Sequence, residues 1–261
     1  MGAIQGITEF LPVSSSGHLI LAERILGIGP QGLRFTVMVH VGTVLAVIAV
    51  FHKRIFKIIK ALFCGRVRYR KGRLRFPDQY TRWAWLLVLA TIPAAVMGIV
   101  LGDMIEKEFC RPFGVGICLL LTGGFLFGTR FVLSPGKELS WFRALAVGIA
   151  QIGGIFPGIS RSGITISAGI YSGLKRRESA EFSFLLGIPL ILGAGAGKIT
   201  AMMKMGISCS EFINIIAGAL TAAVTGYIAI KIVLKIIIMG RFGFFAYYCW
   251  TVGLLVIVFM K

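Results

Sequence analysis

Two polar stretches, each broken by glycine and proline, interrupt a chain that is otherwise oily. They are Gln5-Gly-Ile-Thr-Glu-Phe-Leu-Pro-Val-Ser-Ser-Ser-Gly-His18 and Pro157-Gly-Ile-Ser-Arg-Ser-Gly163. A shift of 146 residues lays one on the other: Gln5 on Gln151, Phe10 on Phe156, Ser14 on Ser160, Ser16 on Ser162, Gly17 on Gly163. One element is used twice. An apolar helix cannot run through either break, and non-helical backbone at membrane depth survives only inside protein or beside a cavity. The rest of the chain must therefore shelter these two loops.

The surroundings are those of a lipid-embedded chain. Hydrophobic residues make up 57% of the sequence and charged ones 15%, with a mean hydropathy of +0.88, above the usage of soluble domains. The formal net charge of +18 invites a nucleic-acid reading, but eleven Lys/Arg lie between Lys53 and Arg82, bounded on both sides by apolar runs. That is the mark of a cytoplasmic loop facing anionic lipid, and no nucleic-acid partner is expected. The five cysteines (Cys64, Cys110, Cys118, Cys209, Cys249) are scattered, with no metal-binding or disulfide pattern, and read as apolar fillers. Gln5, Glu9 and Ser14 to His18 interrupt the first apolar stretch, so no cleavable signal is expected there.

In order, residues 1–27 read as a helix–loop–helix entering and leaving on one side. Spans follow at 35–51 and 83–101, the second kinked at Pro93 and anchored at the interface by Trp83 and Trp85. Asp103, Glu106 and Glu108 mark an acidic loop, then 113–133 is a third span ending near Ser134-Pro-Gly136. Residues 141–173 form the second interrupted segment, and 182–200, 212–238 and 242–260 are three more spans. The expected fold is an all-α integral membrane protein: six transmembrane helices plus two re-entrant helix–loop–helix segments arranged as an inverted repeat. It is a single membrane domain, 1–261, with a first repeat at 1–133 and a second at 134–261. If the 52–82 loop is cytoplasmic, so are 130–143, 174–178 and 231–241, and those four regions hold 20 of the 28 Lys/Arg. The first hairpin then enters from outside and the second from inside, meeting near the midplane. The pairs Gly98/Gly102, Gly124/Gly128 and Gly193/Gly197 suit close helix packing.

Ionised side chains are expensive at membrane depth, and the candidates, Glu9, Arg161 and His18, all lie in or beside the breaks. Helices restart after Ser16 and after Ser162, each offering free N–H groups and the positive end of a dipole. Ser14, Ser15, Ser16, Ser160 and Ser162 add hydroxyls, while Gly17, Gly158 and Gly163 allow close backbone approach. Arg161 brings a planar fork suited to phosphate. Together these residues form a cradle for a multiply charged anion. Glu9, with Gln5 one turn earlier on the same face, suits a divalent metal bridging carboxylate and phosphate. His18 fits a general acid/base or nucleophile, and a serine is the other nucleophile candidate. The bland alternatives are serines that only cap backbone, and a Glu9–Arg161 pair that only neutralises itself. Gln151 could be no more than symmetry left over. His40 and His52 read as interior and interface residues.

These residues resemble the bacitracin-resistance (BacA/UppP) type of undecaprenyl-diphosphate phosphatase. The likeness lies in Gln5-Gly-Ile-Thr-Glu9, Ser14-Ser-Ser-Gly-His18 and Pro157 to Gly163, and it extends over nearly the whole chain. It implies hydrolysis of undecaprenyl diphosphate to undecaprenyl phosphate and inorganic phosphate, recycling the cell-wall lipid carrier. It also implies a divalent metal ion (Mg or Ca), bacitracin resistance, a homodimer, and a multi-pass place in the bacterial cytoplasmic (inner) membrane with the site opening outward. Carried over by position, Glu9, His18, Arg161 and Ser15 are catalytic. Ser14, Ser16, Gly17, Ser160, Ser162 and Gly163 hold the substrate phosphate, and Glu9 and Gln5 hold metal. Two departures stand out: Met1 is only four residues before Gln5, where relatives have a longer lead-in, and Gln5 stands where many have Glu.

The acid-phosphatase-like lipid phosphatases share Ser-Gly-His and Ser-Arg fragments but need a second His after the Ser-Arg. None follows Arg161 here. A transporter or flippase of the polyprenyl phosphate carrier is the alternative from a different class, since broken helices are also transporter architecture.

Overall fold

The computed structural model describes the chain except residues 30–31, 66–67, 71–72, 110, 134, 204–207 and 261, and it describes no side-chain surroundings at 68–70, 73–75, 103, 106–108 and 197–203. Cys110 and Ser134 therefore lie outside the described residues. Ten helices are described: α1 (Gly2–Phe10), α2 (Ser15–Ile25), α3 (Leu33–Cys64), α4 (Gln79–Phe109), α5 (Pro112–Gly128), α6 (Trp141–Ile152), α7 (Arg161–Tyr171), α8 (Arg176–Met203), α9 (Cys209–Ile238) and α10 (Phe245–Phe259). A small antiparallel hairpin, β1 (Arg68–Arg70) and β2 (Arg73–Arg75), joins α3 to α4. Among the described residues, six helical segments are long and apolar enough to cross a membrane: Leu33–Cys64, Gln79–Gly102, Pro112–Phe131, Arg176–Ala196, Cys209–Ile238 and Phe242–Phe259. Their outer faces carry large apolar side chains such as Ile99 (86% exposed) and Phe63 (82%). Water would not tolerate so continuous an apolar surface, whereas lipid matches it.

The element types follow local chemistry. Ser14, Ser140, Ser160 and Ser208 cap α2, α6, α7 and α9, each hydroxyl accepting from a backbone N–H in the first turn. Asp78 does the same ahead of α4, accepting from the N–H of Tyr80 at 2.7 Å and of Thr81 at 3.0 Å. Bonds from the Thr81 N–H and hydroxyl hold its carboxyl below the usual carboxylate range.

Several expectations need correcting. Residues 52–64 and 79–82 are helical, so the basic loop shortens to the connection between Cys64 of α3 and Gln79 of α4. Asp103, Glu106 and Glu108 are not in a loop, because α4 continues to Phe109. Their backbone hydrogen bonds stay within the helix beyond the apolar run. Trp83 is no interface anchor: it is 3% exposed, beneath the Arg54 guanidinium at 3.9 Å and edge-on to Phe182 at 5.5 Å. Trp85 is exposed. A Cβ at Gly98, Gly102, Gly124 or Gly193 would meet nothing within 4 Å among the described residues, so those glycines serve no close packing there, and Gly197 lies outside the described surroundings. Cys118 and Cys249 are buried, while Cys64 and Cys209 are exposed, so only the first two act as apolar filler.

Close packing uses other glycines. At Gly6 on α1 a Cβ would come within 2.9 Å of Gly226 N on α9, and at Gly148 on α6 within 2.8 Å of Ala90 Cα on α4. The short helix α1 thereby lies against α9, and α6 against α4. Helices α5 and α10 pair, and α3 contacts α4, α8 and α9. The core centres on α8, where Phe184 meets Phe10 at 5.6 Å and Phe51 at 6.4 Å. Burying such rings contributes roughly 1.5–3 kcal/mol each in water, and in lipid their tight fit carries more of the stability.

Candidate active site

The first break places Glu9 in the last turn of α1, after which Pro12 stops the helix. Ser14 follows with φ of 69°, in the left-handed region, and turns the chain into α2. Its buried Oγ accepts from Gly17 N at 3.3 Å and from Gly158 N at 3.0 Å. One serine thus caps its own helix and also ties the first break to the second. In the second break Gly158 takes φ of 97°, which a side chain would strain. Ser160 Oγ accepts from Gly163 N at 3.0 Å and caps α7. The two turns interlock: a Cβ on Gly17 would meet Gly158 Cα at 3.2 Å, and one on Gly163 would meet Pro12 Cβ at 3.2 Å. Two helix N-termini are therefore held side by side.

Three predicted residues converge on the carboxylate of a fourth, Glu9. Arg161 Nη2 donates to Glu9 Oε1 at 2.5 Å, across 152 residues of sequence. Ser15 Oγ donates to Glu9 Oε2 at 2.6 Å, and Gln5 Nε2 donates to the same oxygen at 3.0 Å. Glu9 is 8% exposed, so its charge is paired as burial demands. Arg161 Nη1 also donates to the Ser183 carbonyl at 3.4 Å. These bonds leave further guanidinium N–H groups for a ligand.

The remaining predicted residues divide by exposure. Ser160 and Ser162 are 1% exposed, and Ser162 Oγ donates to the Glu9 carbonyl at 3.3 Å. Gly17 and Gly163 are buried within the interlocked turns. Ser15 is half-buried and Ser16 exposed, with Ser16 Oγ 3.4 Å from Ser14 Oγ. His18 does not join the Glu9 cluster by any hydrogen bond described. Its Nδ1 donates to the Ser14 carbonyl at 2.9 Å, so in the neutral ring Nε2 accepts, and it does so from Tyr248 O–H at 2.8 Å. The two rings stack at 5.7 Å and 14°.

Four residues contribute that sequence reasoning missed or discounted. Tyr248 on α10 donates to His18 Nε2, in the tautomer that the Ser14 carbonyl sets. Thr122, a lone hydroxyl in the apolar run of α5, donates to Gly158 O and accepts from Ser160 N, both at 3.1 Å. Gly187 on α8 makes room for Arg161, since a Cβ there would lie 2.7 Å from the guanidinium carbon. His40, half-buried on α3, lies within electrostatic reach of Glu9, with Nδ1 on the Thr36 carbonyl at 2.8 Å. A hydroxyl in an oily helix was the one available signal for Thr122. Gly187 resembled any other small residue in a span.

The donor chemistry fits a hard divalent cation shared with substrate. Gln5 Oε1 is buried without a partner, one turn from the Glu9 carboxylate. Among the described residues no group of three or more His, Cys, Asp or Glu could form a cage of its own. A cation held by one carboxylate, one amide oxygen and substrate phosphates needs no such cage.

Residues 1–255 match the family described as Bacitracin resistance protein BacA. Proteins named Undecaprenyl-diphosphatase are similar along nearly their full length. The one from Methanosphaera stadtmanae is 40% identical over 268 residues, covering 99% of this chain and 95% of the relative. The one from Desulforapulum autotrophicum has the same identity and coverage, and that from Korarchaeum cryptofilum is 39% identical over 260 residues, covering 98% and 96%. Archaea are among the sources, so the likeness carries no single membrane type. With a match over almost every residue and both broken motifs inside it, the chain belongs to the BacA bacitracin-resistance family.

Proposed function

We propose that this protein is an undecaprenyl-diphosphate phosphatase of the membrane, releasing inorganic phosphate and undecaprenyl phosphate. The observation that carries the reading is the Arg161–Glu9–Ser15 chain of hydrogen bonds beside two helix N-termini. It supplies charge for a phosphate and a hydroxyl with a base already in contact. The shared name of the relatives indicates the lipid.

Ser15 Oγ attacks the terminal phosphorus, and its proton passes to Glu9 along the 2.6 Å hydrogen bond. The anhydride P–O bond breaks, and undecaprenyl phosphate leaves with the bonding electron pair. Water then attacks that phosphorus, its proton taken by His18 Nε2 once the Tyr248 hydroxyl swings aside; the Ser15 Oγ–P bond breaks, and Glu9 returns its proton to Ser15 Oγ as inorganic phosphate leaves. Gln5 and Arg161 orient Glu9, and spare N–H groups of Arg161 face the charge that develops on phosphate. Gln5 Oε1 and Glu9 would hold the divalent cation, Mg or Ca, which supplies Lewis-acid polarisation of the phosphate when bound.

Within this reading the two halves, 1–133 and 134–261, form an inverted repeat with re-entrant hairpins α1–α2 and α6–α7. The matched packing of α1 on α9 and α6 on α4 supports it. The site opens to the outer side, and two copies form a homodimer. The same pairing also favours a second activity, translocation of the lipid phosphate. Phosphate release by the purified chain in detergent, lost with chelator and regained with Mg or Ca, is the expected result. No release with metal present overturns the phosphatase, and lipid movement in vesicles without release points to the carrier.

Two substitutions probe the supporting residues. Gly187→Ala drives a methyl into the Arg161 guanidinium, and turnover should fall on the order of 100-fold, the usual consequence of roughly 1 Å of misplacement. Wild-type turnover would show that Arg161 has room to spare. Tyr248→Phe keeps the stacked ring but removes the hydroxyl that occupies His18 Nε2, so kcat should rise about 3- to 10-fold with KM unchanged, the worth of one hydrogen bond no longer broken. An equal rise in KM would make Tyr248 a substrate contact instead.

A further inference from the structure

A second charged cluster lies away from the Glu9 carboxylate, on another face of α8. Ser183 of α8 faces Arg161, whereas Glu181, two residues earlier and so about 200° around the helix, faces α3. Glu181 is 5% exposed. It accepts from Arg177 Nε at 2.8 Å and is paired with Arg54 of α3. Trp83 lies under the Arg54 guanidinium, and Arg54 Nε is buried without a partner. Beside this cluster α3 leaves helical geometry at Phe51, with φ −110° and ψ 16°.

A cavity of about 460 Å³ opens there between α3, α8 and α9. One side is basic, with Lys53, Arg54 and Arg177, and the other is apolar, with Leu234 and Ile238 of α9. Glu181 is the sole acidic group of the lining. Three cations against one carboxylate leave a net charge of +2 before His52 is counted. Three basic helix ends converge here: Lys53 to Lys60 on α3, Lys175 to Arg177 at α8, and Lys235 near the end of α9. Basic pockets between spanning helices at the positive end of a bundle are where phosphate headgroups bind. On the face of α9 that carries Leu234 and Ile238, exposed apolar side chains continue from the cavity through Tyr227, Val224 and Leu220, a track for hydrocarbon that a free anion would not use.

We infer that this cavity binds the phosphate headgroup of an anionic glycerophospholipid, its acyl chains lying along α9. Arg177 and Lys53 meet the phosphate from the rim, and Arg54 fixes the floor through Glu181 and Trp83. The site is separate from the hydrolytic one and does not depend on it.

The test titrates phosphatidylglycerol into the full chain held in phosphatidylcholine nanodiscs, with bound lipid read by native mass spectrometry. The K53Q/R177Q double variant alters two rim residues while leaving Arg54 and Glu181 paired. It should bind phosphatidylglycerol about 30-fold more weakly, roughly fivefold for each cation removed, with unchanged phosphate release. Equal affinity in the variant overturns the site. So does equal retention of phosphatidylcholine, because the headgroup charge would then be irrelevant. Displacement of the lipid by millimolar inorganic phosphate would show a small-anion site and overturn the lipid assignment. Should the double variant fail to fold, R177Q alone, at a side chain 72% exposed, carries the test with a fivefold expectation.

Discussion

Replacing Arg161 by lysine should lower turnover by about 100- to 1,000-fold while leaving the protein folded, the range typical of losing one positioned donor to a developing oxyanion. The charge survives in this variant, and so does the means of neutralising Glu9. What disappears is the fork: one guanidinium now donates to Glu9 through Nη2 and to Ser183 through Nη1, with N–H groups left for phosphate. An ammonium is a compact point charge and cannot hold both partners in fixed directions. Phosphate release at saturating substrate, compared with thermal unfolding of the same preparation, separates the two effects. A variant as fast as wild type would show that Arg161 supplies charge alone.

Glu9→Gln should be more damaging, and in two ways. Turnover should fall by roughly 10²–10⁴, the usual contribution of a general base, because Ser15 then donates to an amide oxygen that takes no proton. Stability should fall by about 3–5 kcal/mol, the cost of leaving a buried cation without its partner. Adding Arg161→Gln to Glu9→Gln should restore much of the stability and none of the turnover. That contrast sets a catalytic pair apart from a structural one. A metal titration adds a further readout, since the single variant should need more Mg or Ca for half-maximal rate. If its metal response matched wild type, Glu9 would be no ligand and the pair would be structural.

Much of this was legible in the residues. Membrane spans are readable because the bilayer imposes length and apolarity on each helix separately: four lie within α3, α4, α8 and α9, while 113–133 and 242–260 overrun their helical segments by two residues and one residue. The hairpins were readable because Pro12, Gly158 and the serine caps act on their own neighbours. Glu9 and Arg161 stood out because charge at membrane depth is rare. Errors arose where one residue's role depended on a distant partner. Trp83 stands where an interface anchor would in the sequence, and only the Arg54 guanidinium above it makes it a core residue; Asp103, Glu106 and Glu108 end an apolar run without ending the helix.

The sequence alone determined that this chain enters a membrane, breaks its helices twice, and carries one acid and one guanidinium at those breaks. These are local properties, written in runs, caps and glycine positions. Only the tertiary structure decided that Ser14 would hold Gly158, that Glu9 would meet Arg161, and that Tyr248, Thr122 and Gly187 would serve the same site. Such contacts join residues on different helices, as many as 230 positions apart, and the packing of whole helices selects them. No periodicity along the chain records which helix face will meet which.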